Sequence, residues 1–169
     1  IFPELKSFLI ASARPTDQLR LILDAHVSVA FAVGAVLNVK SGKHIEIEQR
    51  TAGRRFWSME DTPVDLTWPK IIFEEEHLDD GDGDIALAIS LTHDVSPAVS
   101  TFVKKIMPQV SQILHCKPDG GPSQKAIRSG HHAWMLAESV VHRLAALSKQ
   151  GHAIRRTHIF LAGPNGFAF

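Results

Sequence analysis

The segment Asp84-Ile85-Ala86-Leu87-Ala88-Ile89-Ser90-Leu91-Thr92-His93-Asp94-Val95-Ser96-Pro97 passes from strict alternation into a small-polar corner, and Pro97 then stands where a helix takes its first turn. The alternation marks 84–91 as a core strand, and a proline near the first helical position suits a helix from Ser96 to Met107. The same succession recurs twice. Val110-Ser111-Gln112-Ile113-Leu114-His115-Cys116 reads as the next strand, with Lys117-Pro118-Asp119-Gly120-Gly121-Pro122-Ser123 as its corner. His158-Ile159-Phe160-Leu161-Ala162 is the last strand, with Gly163-Pro164-Asn165-Gly166 as the third corner. Between them a long helix spans roughly His131 to Gln150. Its apolar Trp134, Leu136, Ala137, Val140, Val141, Leu144, Ala145 and Leu147 form a broad buried stripe, and Gly151 closes it. Strand, helix, strand, helix, strand is half of a doubly wound domain. In an open parallel sheet the loops after the strand C-termini gather on one edge, where helix N-termini offer N–H groups and a positive dipole end to anions.

Toward the N-terminus, Pro15 to Leu23 reads as a helix entry with Thr16 or Asp17 as N-cap. His26 to Leu37 is β-branched and alternates small with large, which predicts a buried strand ending near Asn38. A turn at Lys40-Ser41-Gly42-Lys43 precedes the half-solvated strand His44–Arg50, and Arg54-Arg55-Phe56-Trp57 starts another after Ala52-Gly53. Pro63 to Pro69 is an irregular connection carrying Trp68. Glu74 to Asp84 reads as an acidic surface loop.

Composition narrows the function classes. With 44% hydrophobic residues, the 169-residue chain can bury one sizeable core or two small fused ones. Eighteen basic against eighteen acidic residues argue against a DNA-coating protein, so an anionic ligand must be held by local charge. No apolar run of about 18 residues and no signal-peptide pattern occurs, and the lone Cys116 suits a reducing compartment. The expectation is a cytosolic protein without membrane partners. The chain opens in a linker-like Ile1-Phe2-Pro3 and stops at Phe169, inside what should be its last helix, so a fragment is expected.

The last strand with Gly163-Pro164, the long helix before it and Gly120-Gly121-Pro122-Ser123 together resemble the end of a SAVED domain, the sensor module of bacterial CBASS anti-phage effectors. Val29 to Leu37, Lys40-Ser41-Gly42 and Gln49-Arg50-Thr51 resemble its first half. The resemblance covers essentially the whole chain. It implies an α/β, Rossmann-like fold of two fused CARF-like halves, about 1–80 and about 81–169, with mainly parallel sheets flanked by helices. It also implies a receptor for a cyclic di- or trinucleotide made by a CD-NTase, with a cyclic dinucleotide favoured. Ligand binding would drive self-association in the bacterial cytoplasm and switch on a fused effector, in one branch an HNH DNA endonuclease. No such nuclease constellation stands in this sequence, so DNA would be met only through a domain outside it.

Such a ligand carries phosphodiester anions and flat bases, so its pocket needs N–H or basic donors and stacking surfaces. Lys117, Gly121, Ser123, Gln124 and Lys125 supply backbone donors, a hydroxyl and ammonium groups at one corner; an ordinary crossover turn has the same composition. The spacing lacks the Gly-x-x-x-x-Gly-Lys-Ser/Thr pattern of a triphosphate loop. Thr92 and His93 offer a hydroxyl and an imidazole, against plain capping by Asp94 or Ser96. Pro164 and Asn165 open the third corner, as ligand contacts or as a simple helix start. Arg54, Arg55 and Trp57 combine guanidiniums with a ring fit for phosphate and base; the alternative is a strand with Phe56 in the core and Arg55 and Trp57 outward.

No metal, cofactor or catalytic set is expected. Asp80-Gly81-Asp82-Gly83-Asp84 opens like an EF-hand but has Ile85 and Leu91 where Gly and Glu belong. His131 and His132 point about 100° apart on a helix. His115 and Cys116 face opposite sides of a strand, which leaves Cys116 as a buried thiol. A second function class stays open, a phosphodiesterase or ring nuclease with His93 as acid or base, although only the adjacent Asp94 is at hand as its partner.

Overall fold

The computed structural model describes residues 2–37, 41–51, 53–78, 81–149 and 154–169. The chain forms two compact units. The first comprises Ile1–Val64, Ser129–Trp134 and Pro164–Phe169; the second comprises Asp65–Arg128 and Met135–Gly163. Two later segments of the chain thus belong to the first unit.

In the first unit, helix α1 (Phe2–Ala13) leads to strand β1 (Gln18–Leu21), helix α2 (Val27–Val36), strand β2 (His44–Thr51) and strand β3 (Gly53–Trp57). β1 runs parallel to β2, with Gln18 opposite His44, and β3 runs antiparallel to β2. The expected helix at Pro15–Leu23 is thus a strand. The Thr16 hydroxyl accepts the Gln18 N–H at 3.1 Å, turning the chain locally rather than capping a helix. Leu19 and Leu21 then point to the core while Gln18 and Arg20 stay exposed, the period of two that a strand requires.

The converse error lies at α2, read as a buried strand. Its buried residues Ala30, Val33 and Gly34, followed by Leu37, recur at helical spacing. Apolar side chains occupy every face of this segment and hide that period. Alanines at 30, 32 and 35 favour the helix, and His26 Nδ1 accepts the Ser28 N–H at 3.3 Å at its start. Leu9 and Ala13 of α1 pack with Val33 and Leu37, and Leu19, Leu21 and Ile45 join them from the sheet. Gly34 permits a close approach: a Cβ there would lie 1.9 Å from the Phe169 carbonyl oxygen. The strands at 44–50 and 54–57 stand as expected. The anticipated positions Asn38, Lys40, Ala52, Asp79, Asp80, Gln150 and Gly151 lie outside the described residues.

The second unit holds strands β4 (Ile71–His77), β5 (Asp84–Ser90), β6 (Val110–Pro118) and β7 (Thr157–Ala162), helix α3 (Ser96–Ile106) and most of helix α4 (Gly130–Lys149). The sheet order is β4-β6-β5-β7, with β5 parallel to β6 and to β7 and β4 antiparallel to β6. All seven residues of β5 are buried, as expected of a strand between two parallel neighbours. The chain leaves β5 through α3 to one neighbour and returns through α4 to the other, so β5 marks a topological switch point.

β4 is a correction: Glu74, Glu75 and Glu76 belong to a strand, not to a surface loop. Their charge hides the strand, and tertiary partners accommodate it. The Gln112 amide donates to Glu75 at 2.8 Å and Arg143 pairs with the same carboxylate. Glu76 accepts from Ser100 at 2.8 Å, Lys104 at 2.5 Å and His115 at 3.1 Å. The α4 stripe is narrower than expected, because Leu136, Val140 and Leu147 are buried while Trp134 and Val141 are exposed.

Candidate functional site

At the C-terminal ends of β5 and β6 the first two corners meet beside the end of β7, whereas the third corner passes into the first unit at Pro164. The Leu91 and Thr92 N–H groups donate to the Ala162 carbonyl at 2.8 and 3.0 Å, stitching the first corner to the end of β7. Ser123 N–H donates to the Leu91 carbonyl at 2.9 Å, stitching the second corner to the first. Gly121, at φ +80°, closes its turn by donating to the Pro118 carbonyl at 2.8 Å. That backbone is left-handed, a region glycine enters without a Cβ penalty. Beyond it Ser123, Gln124 and Lys125 are exposed, and the Ser123 hydroxyl accepts the Lys125 N–H at 3.3 Å.

Asp94 organises the first corner. One carboxylate oxygen accepts the Ser96 N–H at 2.9 Å and lies 3.3 Å from the Ser90 hydroxyl; the other receives Lys117 Nζ at 3.2 Å. The Ser90 hydroxyl in turn accepts the Val95 N–H at 3.0 Å. The Ser96 N–H, aided by Lys117, holds the Asp94 carboxyl below the usual carboxylate range against the opposing pull of burial. Helix capping by Asp94, the plainer of the two readings for this corner, is therefore present, and Thr92 and His93 remain at the rim. Thr92 Oγ1 and His93 Nδ1 are 3.2 Å apart, and His93 is exposed. Lys117 is half-buried and engaged by Asp94.

The first unit has its own C-terminal edge, where parallel β1 and β2 end. A cleft of about 200 Å³ is lined by Ile22, Leu23, Asp24, Glu48, Gln49, Arg50 and Asn165. Asn165 donates its amide to the Leu23 and Ala25 carbonyls at 2.9 and 3.1 Å, and Gln49 Oε1 accepts the Gly166 N–H at 3.2 Å. Asn165 thus positions the loop after β1, while Pro164 stands at the start of the short helix α5 (Asn165–Ala168). Arg50 and Arg54 reach the nearly buried Glu48 at 3.1 and 3.7 Å, and Arg50 also meets Asp24 at 3.4 Å. Arg55 is exposed opposite Gln49 in the β2–β3 register.

Trp57 is a correction. It is only 5% exposed and pairs with Ile47; a Cβ on Gly166 would fall 2.8 Å from its ring. The β3 face runs opposite to the alternative reading: Trp57 is in the core, and the half-exposed Phe56 lies under the Arg20 guanidinium at 4.0 Å. A base cannot stack on a ring packed under protein backbone. Gln49 and Arg50, part of the family resemblance, line the cleft because β1 is a strand that pairs with β2. From the sequence, Asp94 stands out as a helix cap or as an acid–base partner of His93, not as the partner of Lys117.

Other signals settle into structure. Burial pushes the Cys116 thiol up to about 12, which removes it as a nucleophile. Asp82 pairs with Arg155, and Asp84 meets His158 at 2.8 Å. Among the described residues no group of three or more His, Cys, Asp or Glu side chains could hold a metal ion, and no helix is long and apolar enough to cross a membrane.

The family model for SAVED, the SMODS-associated and fused to various effectors sensor domain, matches residues 3–169. CD-NTase-associated protein 4 of Enterobacter hormaechei subsp. hoffmannii (strain UCI 50) is 29% identical over 170 residues, covering 100% of this chain and 33% of that protein. The fold is similar to the Acinetobacter baumannii Cap4 SAVED/CARF-domain containing receptor solved with the cyclic trinucleotide 3'3'3'-cAAA, at TM-score 0.74 and 16% identity over 99% of this chain and 36% of that one. The same receptor with 2'3'3'-cAAA matches at TM-score 0.69 and 16% identity, over the same shares of the two chains. The chain spans about a third of the length of these relatives.

Proposed function

This chain belongs to the SAVED family of sensor domains, and on that premise we propose that it binds a cyclic oligonucleotide of two or three nucleotides. The meeting of the corners after β5 and β6, beside the end of β7, on one edge of the second unit carries the reading. That edge gathers Thr92, His93, Lys117, Gly121, Ser123, Gln124 and Lys125, whose hydroxyl, imidazole, amide and ammonium groups are the donor types a phosphodiester needs. Each compact unit corresponds to one CARF-like half. Within the first unit, Asn165 sets the loop after β1, Pro164 starts α5, and Arg54 and Arg55 are exposed cations. The cyclic trinucleotides bound by the Cap4 receptor make a three-nucleotide ring the first ligand to test.

In this reading the sensor serves a longer effector, of the HNH DNA endonuclease type, in the bacterial cytoplasm. Ligand drives self-association, and DNA is engaged only by the nuclease. A phosphodiesterase reading finds less support: His93 is joined to Thr92, while Asp94 is engaged by Ser96, Ser90 and Lys117 rather than by His93.

Calorimetry with 3'3'3'-cAAA, followed by chromatography of the ligand, tests the reading. The expected result is saturable binding with the ring recovered intact. Lys125→Ala is expected to weaken binding by about 1.5–3 kcal/mol without lowering the melting temperature, the loss of one charge-assisted hydrogen bond. Linear products would transfer the case to the enzyme. Wild-type affinity in Lys125→Ala would remove that residue from the phosphate site.

A further inference from the structure

Lys117 and Asp94 form an ion pair of 3.2 Å at the mouth of the convergent edge, with side chains 23% and 44% exposed. The two carboxylate oxygens have separate tasks. One is committed to the start of α3 through the Ser96 N–H and the Ser90 hydroxyl, and the other, among the described residues, to Lys117. Lys117 is the penultimate residue of β6 and Asp94 lies in the loop after β5, so the pair joins the C-terminal ends of two neighbouring parallel strands. A phosphate arriving there would seek Lys117, and Asp94 already holds it.

We propose that Asp94 is a built-in competitor for the ligand: a resident carboxylate that occupies Lys117 in the free sensor and sets the concentration at which an anionic ring displaces it. The proposal rests on the reading of this edge as a cyclic-oligonucleotide site. Binding exchanges one anionic partner of Lys117 for another, so the lysine contributes only the difference between the two, and an uncompensated carboxylate beside the incoming phosphate opposes it. The device filters ligands by charge. A ring whose phosphate reaches Lys117 at close range regains the lost pair, whereas a weakly placed or singly charged nucleotide does not. Asp94 also carries the α3 cap on its other oxygen, so the loop that presents Thr92 and His93 keeps its shape when Lys117 is released.

Asp94→Asn separates the two tasks, because the amide oxygen can still accept the Ser96 N–H while the charge that holds Lys117 is gone. The experiment measures 3'3'3'-cAAA and 2'3'3'-cAAA affinity by calorimetry for the wild type, Asp94→Asn, Lys117→Ala and the double variant, with melting curves to confirm folding. Asp94→Asn is expected to bind roughly two- to five-fold more tightly, the range a partly exposed ion pair supplies, and the gain is expected to vanish in the Lys117→Ala background. In the ligand-free protein, Lys117 is expected to react faster with an amine-acylating reagent in Asp94→Asn than in the wild type, read by mass spectrometry of the peptide. Unchanged or weaker binding by a folded Asp94→Asn would overturn the competitor role and leave the sensor reading standing. The same holds for a gain that persists without Lys117. If neither ring binds any of the four proteins, the reading and the competitor fall together.

Discussion

Among the acidic side chains, Glu76 shows how a strand can carry charge that a sequence reading assigns to a loop. Its hydrogen bond with Lys104, supported by Ser100 and His115, lowers its carboxyl to about 2 from the ordinary 4.5, against the opposing pull of burial. A carboxyl depressed in the folded state contributes stability that is complete above its unfolded pKa and is lost as pH falls through the folded value. The wild type is therefore expected to lose on the order of 1–2 kcal/mol between pH 4.5 and 2 from this group. Glu76→Gln should be less stable at neutral pH and show a correspondingly flatter acid limb in urea titrations. An unchanged limb would mean the carboxylate is solvated. Gly34 makes a sharper residue-scale case, since its missing Cβ is the space the Phe169 main chain occupies. Gly34→Ala should cost about 1–3 kcal/mol by overpacking, measured as a shifted urea midpoint, even though alanine is the better helix former.

At the scale of elements, α4 depends on a residue far from it in sequence. Asp61 accepts the Gly130 N–H at 2.7 Å and the His131 N–H at 3.1 Å, supplying from the β3–β4 connection the carboxylate that a helix N-terminus favours. Asp61→Ala should cost about 1–2 kcal/mol and accelerate hydrogen exchange at Gly130 and His131 before the rest of α4. Uniform exchange along the helix would show that the cap is dispensable. Nothing in the sequence links Asp61 to Gly130, and the same limit separates what could be read from what could not. β5, α3, β6, α4 and β7 were legible because alternation, a proline at a helix start and a long apolar stripe are local signals. β1, α2 and β4 were not. A four-residue strand needs its partner to exist, an apolar stretch all round has no visible period, and three consecutive glutamates look solvated until Arg143 and Gln112 are placed at Glu75 and Lys104 and Ser100 at Glu76. The site divided likewise: the corners of the second unit follow from local turn chemistry, while the cleft at Gln49 and Arg50 follows from β1 pairing with β2, and Trp57 was misplaced because a two-residue strand face offers no phase.

For the molecule as a whole, the important fact is that neither unit is a continuous stretch of chain. The first unit needs Ser129–Trp134 and Pro164–Phe169 to return to it. Those segments bring Gly130 and His131 to Asp61, the Asn165 amide to Leu23 and Ala25, and Phe169 into the α1–α2 core. A peptide ending at Val64 therefore contains the residues of the three-stranded sheet and of α1–α2 but leaves the Asp61 carboxylate, the Leu23 and Ala25 carbonyls and Gln49 without these partners, and the core without Phe169. Lost packing of one aromatic side chain alone is worth about 3–5 kcal/mol, a large share of the total stability of a domain this small. The fragment 1–64 is expected to be unfolded or molten, with weak near-ultraviolet dichroism and no cooperative melt, and the fragment 65–163 to retain the β4-β6-β5-β7 sheet but melt well below the full chain, because its α4 starts without Asp61. In the full chain the interleaving makes the units unfold together, so calorimetry should give one transition with equal calorimetric and van't Hoff enthalpies. A fragment 1–64 that folds cooperatively by itself, or two resolved transitions in the intact chain, would show that the returning segments decorate the first unit rather than complete it.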